Sequence, residues 1–528
     1  MNIWLLVTAR FTDFKKEIMK TILFLILFAL SVNTYAQSEV VTLFEAVKIK
    51  NEKRAEALYF YENNWKILRE NALKKGIIHS FEFVIAKTDD KADFDLVLIT
   101  RYKNQAQYEK SEENFQELIK ARGELKLKNA LKPNEFRENV FVKVGKSSVM
   151  KISQMAKPQK EIVMEGLLHP WSMAFLSENE ALVAEKDGDL VRVNLLAKSK
   201  FVIKGFPNDL AGEVTIDNSK YPFATYPPSF DGRTGRFNAG IFEVISDPKF
   251  KSNNFIYVSY SAKNKDGMTT KVIRAVLKDD SLSEVKTILV ATPFTPGSYH
   301  FGGGMTFGRD GKLYITVGER LFSEINQPPM PIAQDLKDRR GKIYRINSDG
   351  TIPEDNPDFG KDSVSGIYAV GIRAAQGITV EPQTGKIWFS EHGTNQGDEI
   401  NLLKAGANYG WAIKTTGTYR YSDYRPPELK GVTFTDPVWY WLQTVAPTGL
   451  TFYTGDEFPE WKNNLFVSGL SRGSFWRFEI EGEIVKSVEE LFVDDRVRSR
   501  KVVQSPEGKL YILTDEDNGK IIRIKNGN

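Results

Sequence analysis

The amino-acid sequence predicts an all-β six-bladed β-propeller preceded by a small α+β domain of the ferredoxin-like type. From about residue 161 to the C-terminus, short strands and glycine-containing turns recur in six similar phrases, with almost no helical periodicity. Repeated four-stranded sheets that cannot bury their faces alone are typical of propellers. In the earlier region, strand and helix periods alternate. We therefore predict a first domain at 40–146, a linker at 147–160 and the propeller at 161–528.

The first domain shows the element order β-α-β-β-α-β. Residues 54–75 carry apolar side chains at helical spacing, and 77–86 and 93–102 alternate like the strands of a hairpin. This order is that of a ferredoxin-like fold. It resembles the dimeric α/β-barrel modules, whose sheets pair face to face, and so implies a homodimer through this domain. The predicted elements are strand 40–49, helix 54–75, strands 77–86 and 93–102, helix 105–122 and strand 141–144.

Each phrase of the second region contains a strand of the type Leu-x-Val, a polar turn with glycine, and an outer strand that usually ends in Arg-Ile, Arg-Val or Arg-Phe. The spacing between phrases is uneven, which indicates long loops between the blades. Loops at one end of the central channel carry the function of a propeller, so polar groups there are the candidate site residues. The phrases span 181–194, 254–277, 312–347, 386–403, 464–480 and 509–524.

Composition excludes several classes of partner and site. The 528 residues include 72 Lys and Arg against 68 Asp and Glu, a net charge of +4, whereas nucleic-acid-binding domains are usually strongly basic. The chain has no cysteine, which excludes disulfides, zinc-thiolate sites, iron–sulfur clusters and thiol nucleophiles. With only four histidines, a multi-histidine metal centre is not expected.

Residues 1–36 are predicted to be a signal peptide. Lys20 precedes an apolar run of about a dozen residues that leads to Thr34-Tyr35-Ala36, and a charged start with a small-residue end is typical of secretory signals. The pattern fits a signal peptide best when it begins at Met19. Residues 1–18 are therefore interpreted as an upstream extension that results from a wrongly assigned start codon. Because the apolar run is too short for a comfortable membrane span, we expect a periplasmic or secreted protein without a stable membrane span.

His300 is the first candidate for a catalytic base. Phe301 and then three glycines follow it, and the glycines let the backbone approach a ligand closely. Glu319 lies one strand later, where its carboxylate can orient the imidazole if both side chains face the channel. An acid-oriented histidine is a common general base near neutral pH. By contrast, the stretch that begins at His169 and continues with Pro and Trp is interpreted as an aromatic packing corner.

A second candidate is a calcium site in the loop after the fourth phrase. Residues 391–398 are irregular and rich in glycine, so their carbonyl oxygens can face a hard cation. Glu399 and Tyr409 can supply further oxygens, and calcium accepts this mixture of carboxylate and carbonyl ligands. The spacing is not that of an EF-hand.

Three arginines complete the set of candidates. Arg373 is a permanently charged donor in a turn. Arg498 and Arg500 share one face of an extended strand, where two guanidinium groups can grip a carboxylate-bearing ligand. The alternative interpretation is that both arginines belong to a solvated basic rim and bind no ligand.

These features, in this order, resemble the soluble glucose/sorbosone (aldose sugar) dehydrogenase family, six-bladed propellers that use pyrroloquinoline quinone and calcium. The resemblance covers about residues 160–526. It rests on the motifs HFGGGMTFGRDGKLYITVGE, GKIYRINSDGTIPEDNPDF, SEHGTNQGDEINLL with NYGW, and SPEGKLYILTDE. It implies a quinoprotein oxidoreductase that oxidises an aldose sugar to its lactone and passes electrons to an external acceptor, since the chain holds no haem or flavin motif.

The resemblance implies a role for each candidate. His300 matches the family's catalytic histidine, which takes the proton from the sugar's anomeric hydroxyl, and Glu319 matches the acidic residue that steadies it. Arg373 matches the arginine that polarises the quinone carbonyl. The other matches are Arg498 and Arg500 for the cofactor's carboxylates, Gly393 and Thr394 for backbone ligands of the calcium at the cofactor, and Glu399 and Tyr409 for a second calcium site.

The chain departs from the family pattern at three places near the cofactor. Asn238 replaces a glutamine close to the substrate, and Ala374 stands where the family has an asparagine amide. Ser471 replaces a lysine that contacts the cofactor, although Arg472 beside it can substitute if its side chain turns inward. Losing one charge-assisted contact costs about 1.5–3 kcal/mol, which is roughly tenfold to a hundredfold in affinity.

Two other classes of function are consistent with a propeller. One is a calcium-dependent hydrolase or lactonase, which needs carboxylates around an axial metal and tolerates loss of the quinone contacts. The other is a propeller that binds saccharide or protein without catalysis, which the changes at Ala374 and Ser471 permit. Retention of His300 and the three arginines favours the dehydrogenase, since a binding module has no need of that full set.

Overall fold

The computed structural model describes residues 40–51, 53–85, 94–129, 131–147, 157–215, 232–320, 328–419, 424–471, 473–495 and 497–527. The chain divides into two compact units, Met1–Met155 and Ala156–Asn528. The predicted signal peptide, residues 1–36, lies outside the described residues. Within the described ranges, no helix is long and apolar enough to cross a membrane.

The N-terminal unit contains one antiparallel four-stranded sheet and several short helices. The elements are β1 (Val40–Ile49), α1 (Arg54–Phe60), a π-helical turn (Tyr61–Trp65), α2 (Lys66–Lys74), β2 (Ser80–Ile85), β3 (Leu96–Tyr102), α3 (Gln105–Glu109), α4 (Ser111–Arg122), α5 (Pro133–Phe136) and β4 (Arg137–Ser147). The strand order is β2-β3-β1-β4, and Phe44 of β1 lies opposite Ile99 of β3 and Lys143 of β4.

The core of this unit follows from the two periods in its sequence. Alternate residues of β3, such as Leu96 and Leu98, point to one face of the sheet. There they pack against Phe60, Tyr61 and Trp65 of the helical segment. Each element predicted from the sequence has a counterpart here, with ends shifted by a few residues.

The second unit contains six antiparallel four-stranded sheets within its described residues, numbered here in chain order. Sheets 1 to 3 are built from β6 (Pro170–Phe175), β7 (Glu180–Glu185), β8 (Leu190–Asn194) and β9 (Ser199–Val202); β12 (Ile241–Ser246), β13 (Phe255–Asn264), β14 (Gly267–Lys278) and β15 (Ser281–Val290); and β16 (Gly302–Phe307), β17 (Leu313–Val317), β18 (Lys342–Ile346) and β19 (Ile367–Val370).

Sheets 4 to 6 follow the same plan. They are built from β20 (Ala375–Val380), β21 (Ile387–Glu391), β22 (Glu399–Leu402) and β23 (Trp439–Tyr440); β24 (Pro447–Phe452), β25 (Leu465–Gly469), β26 (Phe475–Glu481) and β27 (Ile484–Leu491); and β28 (Ser499–Gln504), β29 (Leu510–Thr514), β30 (Gly519–Asn526) and β5 (Pro158–Leu167). The loops add a two-stranded ribbon of β10 (Val214–Thr215) and β11 (Thr234–Gly235), the helix α6 (Phe250–Asn253) and a 3₁₀ turn (Pro459–Trp461).

The six sheets are arranged in a closed ring. The first strand of each sheet contacts the first strand of the next, and β28 of sheet 6 contacts β6 of sheet 1. The last sheet is completed by β5 from the other end of the unit, in which Pro158 lies opposite Asn526. Because Pro158 already belongs to this strand, the ring begins inside the predicted linker 147–160.

The first strands approach one another so closely that they need glycine. A Cβ on Gly377 of β20 would lie 1.9 Å from the Thr448 carbonyl oxygen of β24, and one on Gly304 of β16 would lie 2.6 Å from the Gln376 carbonyl oxygen. Apolar side chains between neighbouring sheets form the cores. One such core joins Ile256 and Ile273 of sheet 2 to Leu182 of sheet 1.

Candidate active site

His300 and Glu319 lie side by side at the ends of two paired strands. His300 precedes β16 and Glu319 follows β17, and these strands pair through Gly302 opposite Val317. The pairing places Nδ1 of His300 3.3 Å from Oε1 of Glu319. Glu319 is 1% exposed. The carboxylate can therefore orient the imidazole, as the sequence pattern predicts.

Burial keeps the His300 imidazole neutral. It lowers the pKa of His300 to about 3, the charge of Arg373 acts in the same direction, and Glu319 opposes the shift. Since the carboxylate faces Nδ1, we assign the hydrogen to Nδ1, which leaves Nε2 free of hydrogen as a proton acceptor. His300 also has a φ of +48°, a strained conformation of a kind that clusters at functional sites.

Arg373 brings a buried positive charge next to this histidine. Its backbone N–H donates to the Glu391 carboxylate, and its Nη1 donates to the His392 carbonyl oxygen at 3.3 Å. The guanidinium carbon lies 5.0 Å from the centre of the Trp411 ring. These contacts fix a permanent charge that is 3% exposed, as stabilisation of a developing negative charge requires.

A cavity of about 300 Å³ begins at the residues that follow His300 in the chain, while His300, Glu319 and Arg373 themselves do not line it. Phe301 and Gly302, which follow His300 in the chain, are part of its wall. Its other lining residues come from five of the six sheets and their loops and combine cations, aromatic rings and amides. They are His169, Trp171, Lys186, Phe237, Asn238, Phe242, Gln376, His392, Leu470, Arg498, Arg500 and Asp515.

Arg498 and Arg500 converge on one carboxylate in this cavity. Their Nη2 atoms lie 2.8 and 2.9 Å from Oδ2 of Asp515. Nδ1 of His169 lies 3.1 Å from the other oxygen, Oδ1. Burial favours a raised pKa for Asp515, but Arg500 and the hydrogen bonds of His169 and Arg498 hold this pKa well below its usual range. A charged Asp515 thus fixes the position of both guanidinium groups.

The two arginines differ in exposure. The side chain of Arg498 is 51% exposed, whereas Arg500 is 7% exposed. Nη1 of Arg500 donates to Oε1 of Gln376 at 2.7 Å. Its Nε is buried and has no hydrogen-bond partner among the described residues. One donor of a buried guanidinium therefore remains available to a ligand.

The remaining predicted cofactor contacts are Asn238, Ser471 and Arg472. Asn238 lines the cavity, and its backbone N–H donates to the Ser298 carbonyl oxygen at 3.1 Å. Ser471 is not among the lining residues, and its backbone N–H donates to the Val445 carbonyl oxygen at 3.0 Å. Arg472 lies outside the described residues.

The glycine run after His300 serves packing more than ligand access. Beside Gly303, the space for a Cβ is filled by the Phe242 ring at 2.8 Å, and beside Gly304 it is filled by backbone of sheet 4. Only Gly302 lines the cavity. The prediction that all three glycines admit a ligand is therefore wrong for two of them.

Three of the four predicted calcium ligands border a second, much smaller cavity. Glu399, Tyr409 and Gly393 border a cavity of about 20 Å³. Thr394 follows Gly393 in the same loop, which is anchored because the Gly393 N–H donates to Oδ1 of Asp398 at 2.8 Å. The Tyr409 hydroxyl donates to the Leu402 carbonyl oxygen at 2.6 Å, so the backbone carbonyl is the oxygen that Tyr409 can offer a metal.

Two carboxylates, the buried Glu391 and the half-buried Glu399, come from paired strands beside this small cavity. Glu391 of β21 and Glu399 of β22 are directly paired. Burial raises the pKa of Glu391 to about 8, with Glu399 adding to the shift, and burial also raises the pKa of Glu399. No cluster of three or more acidic or histidine side chains suited to a metal occurs in the part of the chain that the structure describes. A cation here would depend on backbone carbonyls.

Several cavity residues were not selected from the sequence. The interpretation of 169–171 as a packing corner holds for Trp171, whose ring lies 5.9 Å from that of Phe242. It is wrong for His169, because both ring nitrogens contact aspartates. His392 and Asp515 belong to motifs that carry the family resemblance, and Gln376 lies three residues after Arg373. No sequence pattern points to Lys186.

Comparison with known proteins gives a consistent result. The sequence model of the family described as Glucose / Sorbosone dehydrogenase matches residues 167–523. The aldose sugar dehydrogenase YliI of Escherichia coli is 32% identical over 372 residues, which cover 69% of this chain and 92% of that relative. The quinoprotein glucose dehydrogenase B of Acinetobacter calcoaceticus is 28% identical, over 69% of this chain and 87% of the relative.

The fold of the second unit is also similar to a solved structure. The crystal structure of the soluble aldose sugar dehydrogenase of Escherichia coli in the apo-form matches with a TM-score of 0.60 and 30% identity, over 70% of this chain and 100% of that chain. The family match begins at residue 167, so the N-terminal unit lies outside it.

Proposed function

The chain belongs to the glucose/sorbosone dehydrogenase family, and from this premise we propose that it oxidises an aldose sugar to its lactone with pyrroloquinoline quinone as cofactor. The observation that supports this most is the cationic cavity next to the His300–Glu319 pair. One wall of the cavity suits a polycarboxylated ligand, and the adjoining base suits removal of a hydroxyl proton.

The residues present fit the proposed cofactor. It is a flat tricarboxylated quinone, and the cavity offers the Arg498 and Arg500 guanidinium groups together with the rings of Trp171, Phe242 and Phe301. The unpartnered Nε of Arg500 is a buried donor that a carboxylate would satisfy. When bound, the quinone supplies the acceptor for the hydride that leaves C1 of the sugar.

His300 provides the base for this oxidation. Its Nε2 accepts the proton of the C1 hydroxyl while the C1–H bond breaks, and Glu319 holds the ring and stabilises the imidazolium that forms. A positioned general base contributes about 10²–10⁴-fold to the rate. The low pKa of His300 ensures that the ring is unprotonated when the sugar arrives.

Arg373 stabilises negative charge beside the base. Its guanidinium is close enough to His300 to lower the pKa of that histidine. When the quinone is bound, Arg373 would stabilise the negative charge that develops on it. Such preorganised charges contribute several kcal/mol in sites that exclude water.

Calcium is the second proposed cofactor. The carbonyl oxygens of Gly393 and Thr394 would hold one ion at the quinone, and Glu399 with the carbonyl of Tyr409 would hold another. The pairing of the buried Glu391 with the half-buried Glu399 supports the second site, because burial and the charge of Glu399 both raise the pKa of Glu391 and a divalent cation would favour the charged carboxylates instead.

Reconstitution tests the proposed function. Purified protein beginning at Gln37 is mixed with pyrroloquinoline quinone and calcium, and reduction of an artificial dye is followed with a panel of aldoses. We expect calcium-dependent turnover that His300→Asn lowers by at least about 10²-fold, with the cofactor still bound. Failure of the wild-type protein to bind the quinone at micromolar concentration would contradict the proposal.

The architecture and context of this enzyme are further parts of the proposal. We interpret the ring of six sheets as a six-bladed propeller and the N-terminal unit as a ferredoxin-like module that forms a homodimer. The predicted signal peptide would direct the protein to the periplasm or the medium, where it passes electrons to an external acceptor. Size-exclusion chromatography with light scattering tests the homodimer.

A further inference from the structure

Lys186 is a buried cation in the cavity proposed to hold the cofactor. It follows β7 in sheet 1 and is 8% exposed. It lines the cavity together with Arg498 and Arg500 of sheet 6. Nearly buried lysines are rare, and they are normally paired or functional.

The backbone and side chain of Lys186 are held in place before any ligand binds. Its N–H donates to the His169 carbonyl oxygen at 3.0 Å, and its Nζ donates to the Phe237 carbonyl oxygen at 2.7 Å. Gly240, with a φ of +142°, packs so tightly that a Cβ there would lie 1.9 Å from the Lys186 carbonyl oxygen. A side chain fixed in this way loses little entropy when it binds a ligand.

The groups around Lys186 do not engage all three donors of its ammonium group, so this group can also bind an anion. Asp187 lies 3.1 Å from Nζ, and Asp515 is already shared by the two arginines. An ammonium group has three donors, of which the Phe237 carbonyl engages one, while Asp187 contributes an ion pair. Burial lowers the pKa of Lys186, Asp187 and Asp515 oppose the shift, and Arg500, which lines the same cavity, adds to it.

We propose that Lys186 is the third cationic anchor of the carboxylated cofactor. It takes over, from sheet 1, the charge that the family carries on a lysine at the position of Ser471. Ser471 does not line the cavity, whereas Lys186 does. This inference rests on the proposed function, because it concerns how the same cavity holds the same quinone.

Binding of pyrroloquinoline quinone to the cofactor-free protein tests the inference without any turnover. The dissociation constant is measured by calorimetry with calcium present. For Lys186→Gln, which keeps a donor for the Phe237 carbonyl, we expect roughly tenfold to hundredfold weaker binding. Lys186→Arg should bind within a few-fold of wild type. Lys198→Met, an exposed lysine in the turn between β8 and β9, is the matched control and should not change binding.

A neutral form of the cofactor separates recognition of charge from a structural role. With the trimethyl ester of the quinone, wild type and Lys186→Gln should bind equally, since no carboxylate remains to be recognised. If Lys186→Gln weakens both forms equally, or weakens neither, the inference is overturned. If the wild-type protein itself binds no quinone, the proposed function fails instead, and Arg500→Gln then has no effect either.

Discussion

Lys501 and Glu243 form an ion pair that joins two sheets which are not neighbours in the ring. Nζ of Lys501 in β28 lies 2.5 Å from Oε2 of Glu243 in β12, and sheet 1 lies between them. The residues are 7% and 1% exposed. Both line an open cavity of about 800 Å³, whereas their chain neighbours Arg500 and Phe242 line the cavity of about 300 Å³. In both strands, neighbouring residues therefore contribute to the linings of the two cavities.

Breaking this pair should destabilise the ring unit. Lys501→Met leaves Glu243 buried without its counter-charge, which typically costs about 3–5 kcal/mol in buried pairs. The free energy of unfolding is measured by denaturant titration with tryptophan fluorescence, since seven of the nine tryptophans lie after residue 156. The double variant Lys501→Met, Glu243→Gln removes both charges and should recover most of the loss. Equal stability of the single variant and wild type would show that the pair is dispensable.

The histidines should titrate at very different pH values. Burial lowers the pKa of His300 to about 3, while the hydrogen bond to Asp515 raises that of His169. At pH 5, where an ordinary histidine is mostly protonated, we expect a neutral His300 and a protonated His169 in the cofactor-free protein. NMR of ¹³C-labelled histidine between pH 4.5 and 8.5 checks this, with His169→Asn and His300→Asn to assign the signals. A His300 midpoint near 6.5 would contradict the buried geometry.

A methyl group should not be tolerated where β20 meets β24. In Gly377→Ala the new Cβ would lie 1.9 Å from the Thr448 carbonyl oxygen, so the strands must separate. We expect a loss of at least about 1–3 kcal/mol in the free energy of unfolding, as for other overpacked cores. Gly212→Ala, where the nearest atom is the flexible Lys263 Nζ at 3.8 Å, is the control and should unfold like wild type.

Calcium should stabilise the protein through Glu399. At a calcium concentration of 100 times the dissociation constant, binding adds about 2.7 kcal/mol to the folded state, which raises the midpoint of thermal unfolding. Glu399→Gln keeps the shape of the side chain but removes its charge, so most of this increase should disappear. The exposed Glu428→Gln should keep it. Scanning calorimetry with and without a chelator gives the comparison, and an undiminished increase in Glu399→Gln would exclude this carboxylate as a ligand.

Much of the architecture was predictable because strand signals are local. Short apolar strands such as those around Leu313 and Leu510, separated by glycine turns, predict sheets wherever they occur. The pairing of His300 with Glu319 was predictable for a related reason. The two residues flank a single pair of adjacent antiparallel strands, so their separation along the chain determines that they meet.

The composition of the 300 Å³ cavity depends on ring closure, which no local pattern encodes. Lys186, Gln376 and Asp515 come from sheets 1, 4 and 6, and nothing in the sequence near each of them indicates the others. The space beside Gly303 and Gly304 was misjudged for the same reason, because the atoms that fill it belong to neighbouring sheets.

The sequence by itself determined the repeated sheets, the contact of His300 with Glu319 and the arginine pair, since each depends on residues close in the chain or in one hairpin. Only the tertiary structure decided that Lys186 lines the cavity and Ser471 does not. The physical reason is that a closed ring brings six separate sheets to one centre. The side chains that meet there are selected by the register and tilt of all six sheets together.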